Sequence, residues 1–405
     1  MDTSRTRRVC AAALLLTLTS AACGGGSSDR AVRPVGPGAT VGPGATLGPG
    51  TPAPSPGPGS SAPVVGSTPS AAGGSPPSRP DSSLPPPSDM AADRTPTGAP
   101  VTLAFGGDVH FEGASRAALS GGLAAITPAL SRADLAVVNL ETAVTGRGAP
   151  SGGKQFTFRA PPAAFSVLKD AGVDVVTMAN NHGLDYGQVG LADSLAASRE
   201  RGLPVVGAGV DEDAAFAPYV ATVEGQRIAV IGATQVLDSN LAAAWTAGPA
   251  KPGLASAKDE DEDRLVEAVR AARGRADTVV VYLHWGTEQS DCPNDRQRPL
   301  ARALASAGAD VIVGSHAHVL LGGGWLDGAY VDYGLGNFVF YARTAVTQAT
   351  GVLTLTVQGR AVTAAQWTPA RISGGVPQPL SGAAGTQAAA AKDRLRGCTG
   401  LSPTP

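Results

Sequence analysis

Gly308 to Gly322 reads GADVIVGSHAHVLLG. Val311-Ile312-Val313 is a short β-branched run, the pattern of a buried strand. Gly314 is expected to break that run, and two histidines follow at alternate positions, His316 and His318. Alternate residues of extended chain face the same way, so the segment delivers two imidazoles into one pocket. Imidazole is the commonest metal ligand among side chains. The chain has five histidines, at 110, 182, 284, 316 and 318, and each closes an apolar run or stands just past its end. Solvated loop histidines have no reason to follow that rule, whereas a shared metal pocket does.

Outward from this stretch, apolar runs alternate with helical patterns. Strands are expected at Val101 to Phe105, Leu135 to Val138, Val173 to Met178, Pro204 to Val206, Thr278 to Leu283, Ala329 to Tyr333 and Asn337 to Tyr341. Helices are expected within Ala114 to Leu130, stopped early by Pro128, and from Pro161 to Ala171. Others run from Val189 to Arg201, closed by Gly202, from Asp259 to Arg273, and from Pro299 to Ala307. Hairpins are expected around Glu224-Gly225 and Gln358-Gly359. Strand–helix alternation with late hairpins predicts an α/β layered sandwich, with mixed central sheets flanked by helices.

The polar motifs stand at the carboxyl ends of those strands, where open α/β sheets place their ligands. They comprise Asp108 and His110, Glu141, Asn181 and His182, His284, His316 and His318. Asp-x-His presents a carboxylate and an imidazole on one face, Glu141 offers a bridging carboxylate, and Asn181 offers a neutral carbonyl oxygen. This set suits two divalent metal ions. Its mixed nitrogen and oxygen donors favour manganese, iron or zinc.

The first hundred residues have a different character. Arg5, Arg7 and Arg8 precede the apolar stretch Ala11 to Leu18, which is too short to span a bilayer, so residues 1–23 read as a signal peptide. LTSAAC then leads into GGGSS, a lipobox-like ending with Cys23 as the lipidated residue and Ser20 where Leu is usual. The expected location is therefore the extracellular face of the cell membrane, lipid-anchored, with secretion as the alternative. Residues 24–97 are rich in Gly, Pro, Ala, Ser and Thr and read as a disordered tether. The globular domain is expected over 98–373, and 374–405 reads as a low-complexity tail. A net charge of −2 gives no steering toward nucleic acid.

GGDVHF, NLETAVT, FTFRAPPAAFSVLKDAGVDVVTMANNHGLDYG, HWGTE, GADVIVGSHAHV and YGLGNFVF occur in this order. Together they resemble the CapA family of capsule and poly-γ-glutamate synthesis proteins, over about residues 100 to 370. That family is similar in fold to the calcineurin-like metallophosphoesterases. The resemblance implies that Asp108, His110, Glu141, Asn181, His284, His316 and His318 hold metal. It also implies that His182 contacts the scissile group. Glu141 stands where phosphoesterases generally place Asp, and its extra methylene bears on metal spacing. Capsule-synthesis proteins are the implied partners, and an anionic envelope polymer or a phosphoester is the implied substrate.

Other residues carry weaker expectations. Asp185 either orients His182 or caps the following helix. Glu288, four past His284, stands near the ligands or is a solvated loop carboxylate. Lys154 and Arg159 either meet an acidic polymer or lie on the surface, the reading preferred. Asn337 is read as a turn amide. Cys10 belongs with Cys23 to the targeting segment, which leaves Cys292 and Cys398 as an even pair in an exported domain, expected to bridge. Two functions compete: a metal-dependent hydrolase, or a non-enzymatic polymer-binding or export factor with a structural or vestigial metal site.

Overall fold

The protein is described here by a computed structural model covering residues 94–405. The expected leader, Cys23 and residues 24–93 of the tether lie outside the described residues. One mixed sheet has the order Val376–Pro379, Ala361–Ser373, Ala349–Gln358, Val101–Val109, Leu135–Leu140, Val175–Thr177, Val205–Val206. The last four run parallel, and the late hairpin joins them antiparallel. Asn337–Val339 lies parallel beside the end of Val101–Val109. The other sheet has the order Gly323–Leu326, Ala329–Asp332, Val311–His316, Thr278–Trp285, Gln226–Thr234, Tyr219–Val223, and its four inner strands are parallel.

Side-chain alternation builds four layers from these two sheets. Leu103, Phe105, Val280 and Tyr282 meet in the core between them. The Tyr282 hydroxyl donates across the gap to the Gly106 carbonyl at 2.7 Å. Residues one step along face outward. Val279, Val281 and Leu283 pack against Leu265 and Val269 of the Glu262–Arg273 helix and against Leu300 and Leu304 of Gln297–Ala307. Ala136 and Val138 pack with Phe165 and Leu168 of Ala163–Asp170 and with Leu191 of Gly187–Arg201. The α/β sandwich with flanking helices is the architecture the sequence predicts.

Four local expectations are corrected. Ala114 to Leu130 is not one helix: a 3-10 turn, Gly113–Ala117, leads into Ala118–Gly121, and a second short helix is Thr127–Ser131. Gly122, at φ +68°, ends the first, and Pro128 stands at the start of the second, where its missing N–H costs nothing. Gly314 does not break its strand, which continues to His316. A Cβ there would lie 2.0 Å from the Trp285 Nε1, so glycine makes room for the indole of the neighbouring strand.

The segment after Gly374 folds. It supplies the edge strand Val376–Pro379 and the helix Gly382–Arg394. Its repeated Ala is low in complexity but high in helix propensity. Lys392 docks it, donating to both Asp332 carboxylate oxygens at 2.8 and 2.9 Å in a buried site. Finally, the folded part begins before residue 98. Arg94 bonds to Asp310 at 2.9 Å, and the Thr97 N–H donates to the Gln358 carbonyl.

Candidate metal centre

The parallel strands of both sheets end at one place. Asp108 closes Val101–Val109, Glu141 follows Leu135–Leu140, and Asn181 and His182 follow Val175–Thr177. From the other sheet, His284 lies near the end of Thr278–Trp285 and His316 closes Val311–His316. Beside Asp108 the approach to Asn337–Val339, the neighbouring strand of the same sheet, is close enough to demand glycine. A Cβ on Gly107 would lie 1.9 Å from the Gly336 carbonyl oxygen, which accepts the Asp108 N–H. His316 and His318 have φ of +102° and +56°, left-handed backbone that a histidine adopts only when its surroundings impose it.

Among the described residues, three compact groups of ligand atoms result: Glu141 with His284 and His316, Asp108 with Glu141 and His318, and Glu288 with His316 and His318. Glu141 Oε1 lies 3.6 Å from His284 Nε2, 3.9 Å from His182 Nε2 and 4.0 Å from His318 Nε2. His284 Nε2 lies 2.8 Å from Asn181 Oδ1, and His318 Nδ1 lies 3.4 Å from Asp108 Oδ2. Two donors sharing a cation at about 2.1 Å each stand roughly 3–3.5 Å apart, and the distances of 2.8–4.0 Å among these groups bracket that range.

The polar accounting points the same way. Among the described residues, Glu141 Oε1 and Oε2 and His316 Nδ1 are buried without a hydrogen-bond partner. A buried carboxylate with both oxygens unpaired is costly unless a cation meets it. Burial, and then the charge of Asp108, push the Glu141 carboxyl well above its usual range. Burial holds His110 and His284 well below the ordinary imidazole value and lowers His316 to about 3. Those rings are therefore neutral, the form that ligates. Burial would lower His318 too, but Glu141 and Asp108 outweigh it and raise it to about 9. The residues present fit divalent cations.

His110 stands apart from the three groups. Its Nδ1 accepts the Glu112 N–H at 3.1 Å and faces the Ser115 hydroxyl, while its ring packs among Phe158, Phe340 and Tyr341. Its Nε2 is buried and unpartnered. His182 is oriented by Asp185, whose Oδ2 is 2.5 Å from Nδ1. The imidazole donates there, because a carboxylate only accepts, and Nε2 is left facing Glu141. Asp185 does not cap the helix: no side chain caps Gly187–Arg201.

Two sequence readings change. The Lys154 side chain is 4% exposed, with its ammonium 2.7 Å from Asp185 Oδ1 and bonded to the Asn181 carbonyl. Asn337 is a buried site residue rather than a turn amide. Its Oδ1 accepts from His318 Nδ1 at 2.9 Å, and its Nδ2 donates to the carbonyls of His318 and Thr347. Arg159 lies over the Tyr186 ring at 3.6 Å and donates to the Arg147 and Gly148 carbonyls, so it braces a loop. Glu288 is exposed. Cys292 and Cys398 are bridged, with Cα atoms 5.8 Å apart.

Sequence reasoning missed Asn139 and Asn180. Asn139 Nδ2 donates to Asp108 Oδ1 at 2.7 Å and faces His284 Nδ1 at 3.1 Å. Asn180 donates to Asn139 Oδ1 at 2.9 Å and accepts the His182 N–H at 3.0 Å. The available signal was a single amide inside the otherwise apolar strand LAVVNL.

The fold and site define a four-layer α/β sandwich with a carboxylate–histidine centre built from the carboxyl ends of both sheets. The profile described as "Bacterial capsule synthesis protein PGA_cap" matches residues 102–342, and the chain belongs to that family. It is 34% identical over 257 residues to the "PGA biosynthesis protein CapA" of Bacillus subtilis (strain 168), covering 63% of this chain and 66% of that one. It is also 34% identical over 216 residues to the "Capsule biosynthesis protein CapA" of Bacillus anthracis, covering 53% and 52%. The chain thus spans between about half and two thirds of the length of these curated relatives. Among solved structures, a "novel phosphatase" of Mycoplasma pneumoniae is similar at a TM-score of 0.42 and 17% identity, over 67% of this chain and 94% of that one.

Proposed function

We propose that the chain is a metal-dependent hydrolase of capsule or envelope polymer metabolism, using a dinuclear centre of manganese, iron or zinc. Its substrate is a phosphoester or an amide in an anionic polymer such as poly-glutamate, and its partners are capsule-synthesis proteins. The observation that carries this reading is Glu141: a fully buried carboxylate with both oxygens unpartnered, facing three imidazoles. Asp108, Glu141, Asn181, His284, His316 and His318 would hold the ions, with His110 as a further donor through Nε2. Bound cations would supply Lewis acidity and offset the charge that develops on the substrate.

The chain's own residues do the rest. Asp185 holds Nδ1 of His182, so Nε2 points into the centre and exchanges a proton or hydrogen bond with the substrate oxygen. Lys154 fixes Asp185 through its other oxygen, Oδ1. Phe158 stacks on the His182 ring at 4.1 Å and limits its rotation. The protein is held at the outer face of the membrane by acylated Cys23, and Cys23→Ala would release it. The test of the whole reading is metal content of the purified protein, measured together with turnover of phosphodiester and γ-glutamyl substrates. Bound metal with turnover supports it; no metal and no turnover leaves a polymer-binding factor as the better account.

A further inference from the structure

Glu288 has no part in the chemistry above. It lies on the exposed segment between the strand Thr278–Trp285 and the helix Gln297–Ala307, yet a carboxylate oxygen stands within 4.8 Å of ring nitrogens of both His316 and His318. Asp108 and Glu141 reach the same imidazoles from the buried side. Glu288 therefore faces the group that the buried carboxylates face, from the solvent side.

The segment is held so that this placement persists. The Gln289 N–H donates to the Ala317 carbonyl at 2.8 Å, tying the residue after Glu288 to the one between the two histidines. Gln289 has φ +58°, a conformation a glutamine keeps only under restraint. Ser290 Oγ donates to the Cys292 carbonyl at 3.0 Å, and Cys292 is bridged to Cys398 beyond the C-terminal helix. Arg298 secures the other side of that bridge by donating to the Cys398 carbonyl at 2.7 Å. The backbone that carries Glu288 is thus restrained, so less freedom is lost when its carboxylate ligates, and preorganisation of that kind raises affinity.

We propose that Glu288 is a further ligand of the solvent-facing cation, and that the Cys292–Cys398 bridge positions it, so tight loading of that position depends on the bridge. The inference rests on the centre being a metal site.

The test is Zn²⁺ titration of the metal-stripped full-length chain against a chromophoric chelator, for wild type, Glu288→Gln, Glu288→Asp and Cys292→Ser/Cys398→Ser. In Glu288→Gln the weaker-bound zinc should lose about 10–100-fold in affinity while the tighter one is unchanged. Glu288→Asp should recover part of the loss. The serine pair should show a loss of the same size, and combining it with Glu288→Gln should add less than the sum of the two. Unchanged zinc binding in Glu288→Gln overturns the ligand; unchanged binding in a folded serine pair overturns its dependence on the bridge. Glu288 is exposed, so Glu288→Gln decides even if the serine pair does not fold. A wild type that binds none of zinc, manganese and iron(II) sinks this inference together with the metal reading, whereas a wild type that binds and a matching Glu288→Gln sink this one alone.

Discussion

His182 and His318 divide the labour of the centre, and each division can be measured. His182→Ala should keep its metal and lose roughly 10²–10⁴-fold in turnover, the usual worth of a general acid or base. Asp108→Ala or His318→Ala should lose metal as well, so metal analysis beside kinetics separates the roles; metal lost from His182→Ala would refute the division. With no cation bound, Glu141 and Asp108 overcome burial and hold the His318 imidazole up at about 9, above its ordinary value of about 6.5. A raised folded value stabilises below the unfolded one, and that contribution is lost as pH rises through about 9. A cation competes with the same proton. Metal affinity should therefore climb by up to about tenfold per pH unit below that point and level off above it, read by chelator competition. A flat profile would remove His318 from the ligand set. The histidines were legible because each ends an apolar run. Lys154 and Asn337 were not, since a lysine in a Gly-rich loop and an asparagine after Gly-Leu-Gly look like surface and turn until the chain is folded.

At the level of elements, two contacts decide how strands and helices are held. Gly107→Ala would drive a Cβ into the Gly336 carbonyl and should cost about 1–3 kcal/mol, as overpacking does. Denaturant unfolding measures it, and an unchanged midpoint would mean the two segments part without strain. Lys392→Met leaves Asp332, 1% exposed, without its partner. Breaking a buried pair costs about 3–5 kcal/mol. The helix Gly382–Arg394 should then become accessible to protease before the rest of the domain unfolds. The strands were readable in advance because β-branched runs bounded by Gly and Asp are strong signals. The helices between 113 and 131 were not, because a Gly-Gly pair and a proline can end or begin a helix and only the fold says which.

For the whole molecule, the layered α/β class followed from strand–helix alternation and the Cys292–Cys398 bridge from an even cysteine pair, while the docking of the helix Gly382–Arg394 through Lys392 on buried Asp332 was hidden by composition. Removing the bridge, which spans 106 residues, should cost up to ~4–5 kcal/mol in the chain-entropy account, read as a lowered unfolding midpoint. The ends of the described chain have a geometric consequence. Arg94 is pinned at Asp310, just before the strand that finishes in His316. Ser402 pairs with Trp325, which is level with Tyr330 and so with Val311 at the start of that same strand. Both ends therefore leave from the pole opposite the cation cradle. A cargo, a bead or a surface attached just before Arg94 or just after Ser402 would leave the mouth pointing outward, so the folded domain can be displayed or immobilised from either side without being blinded.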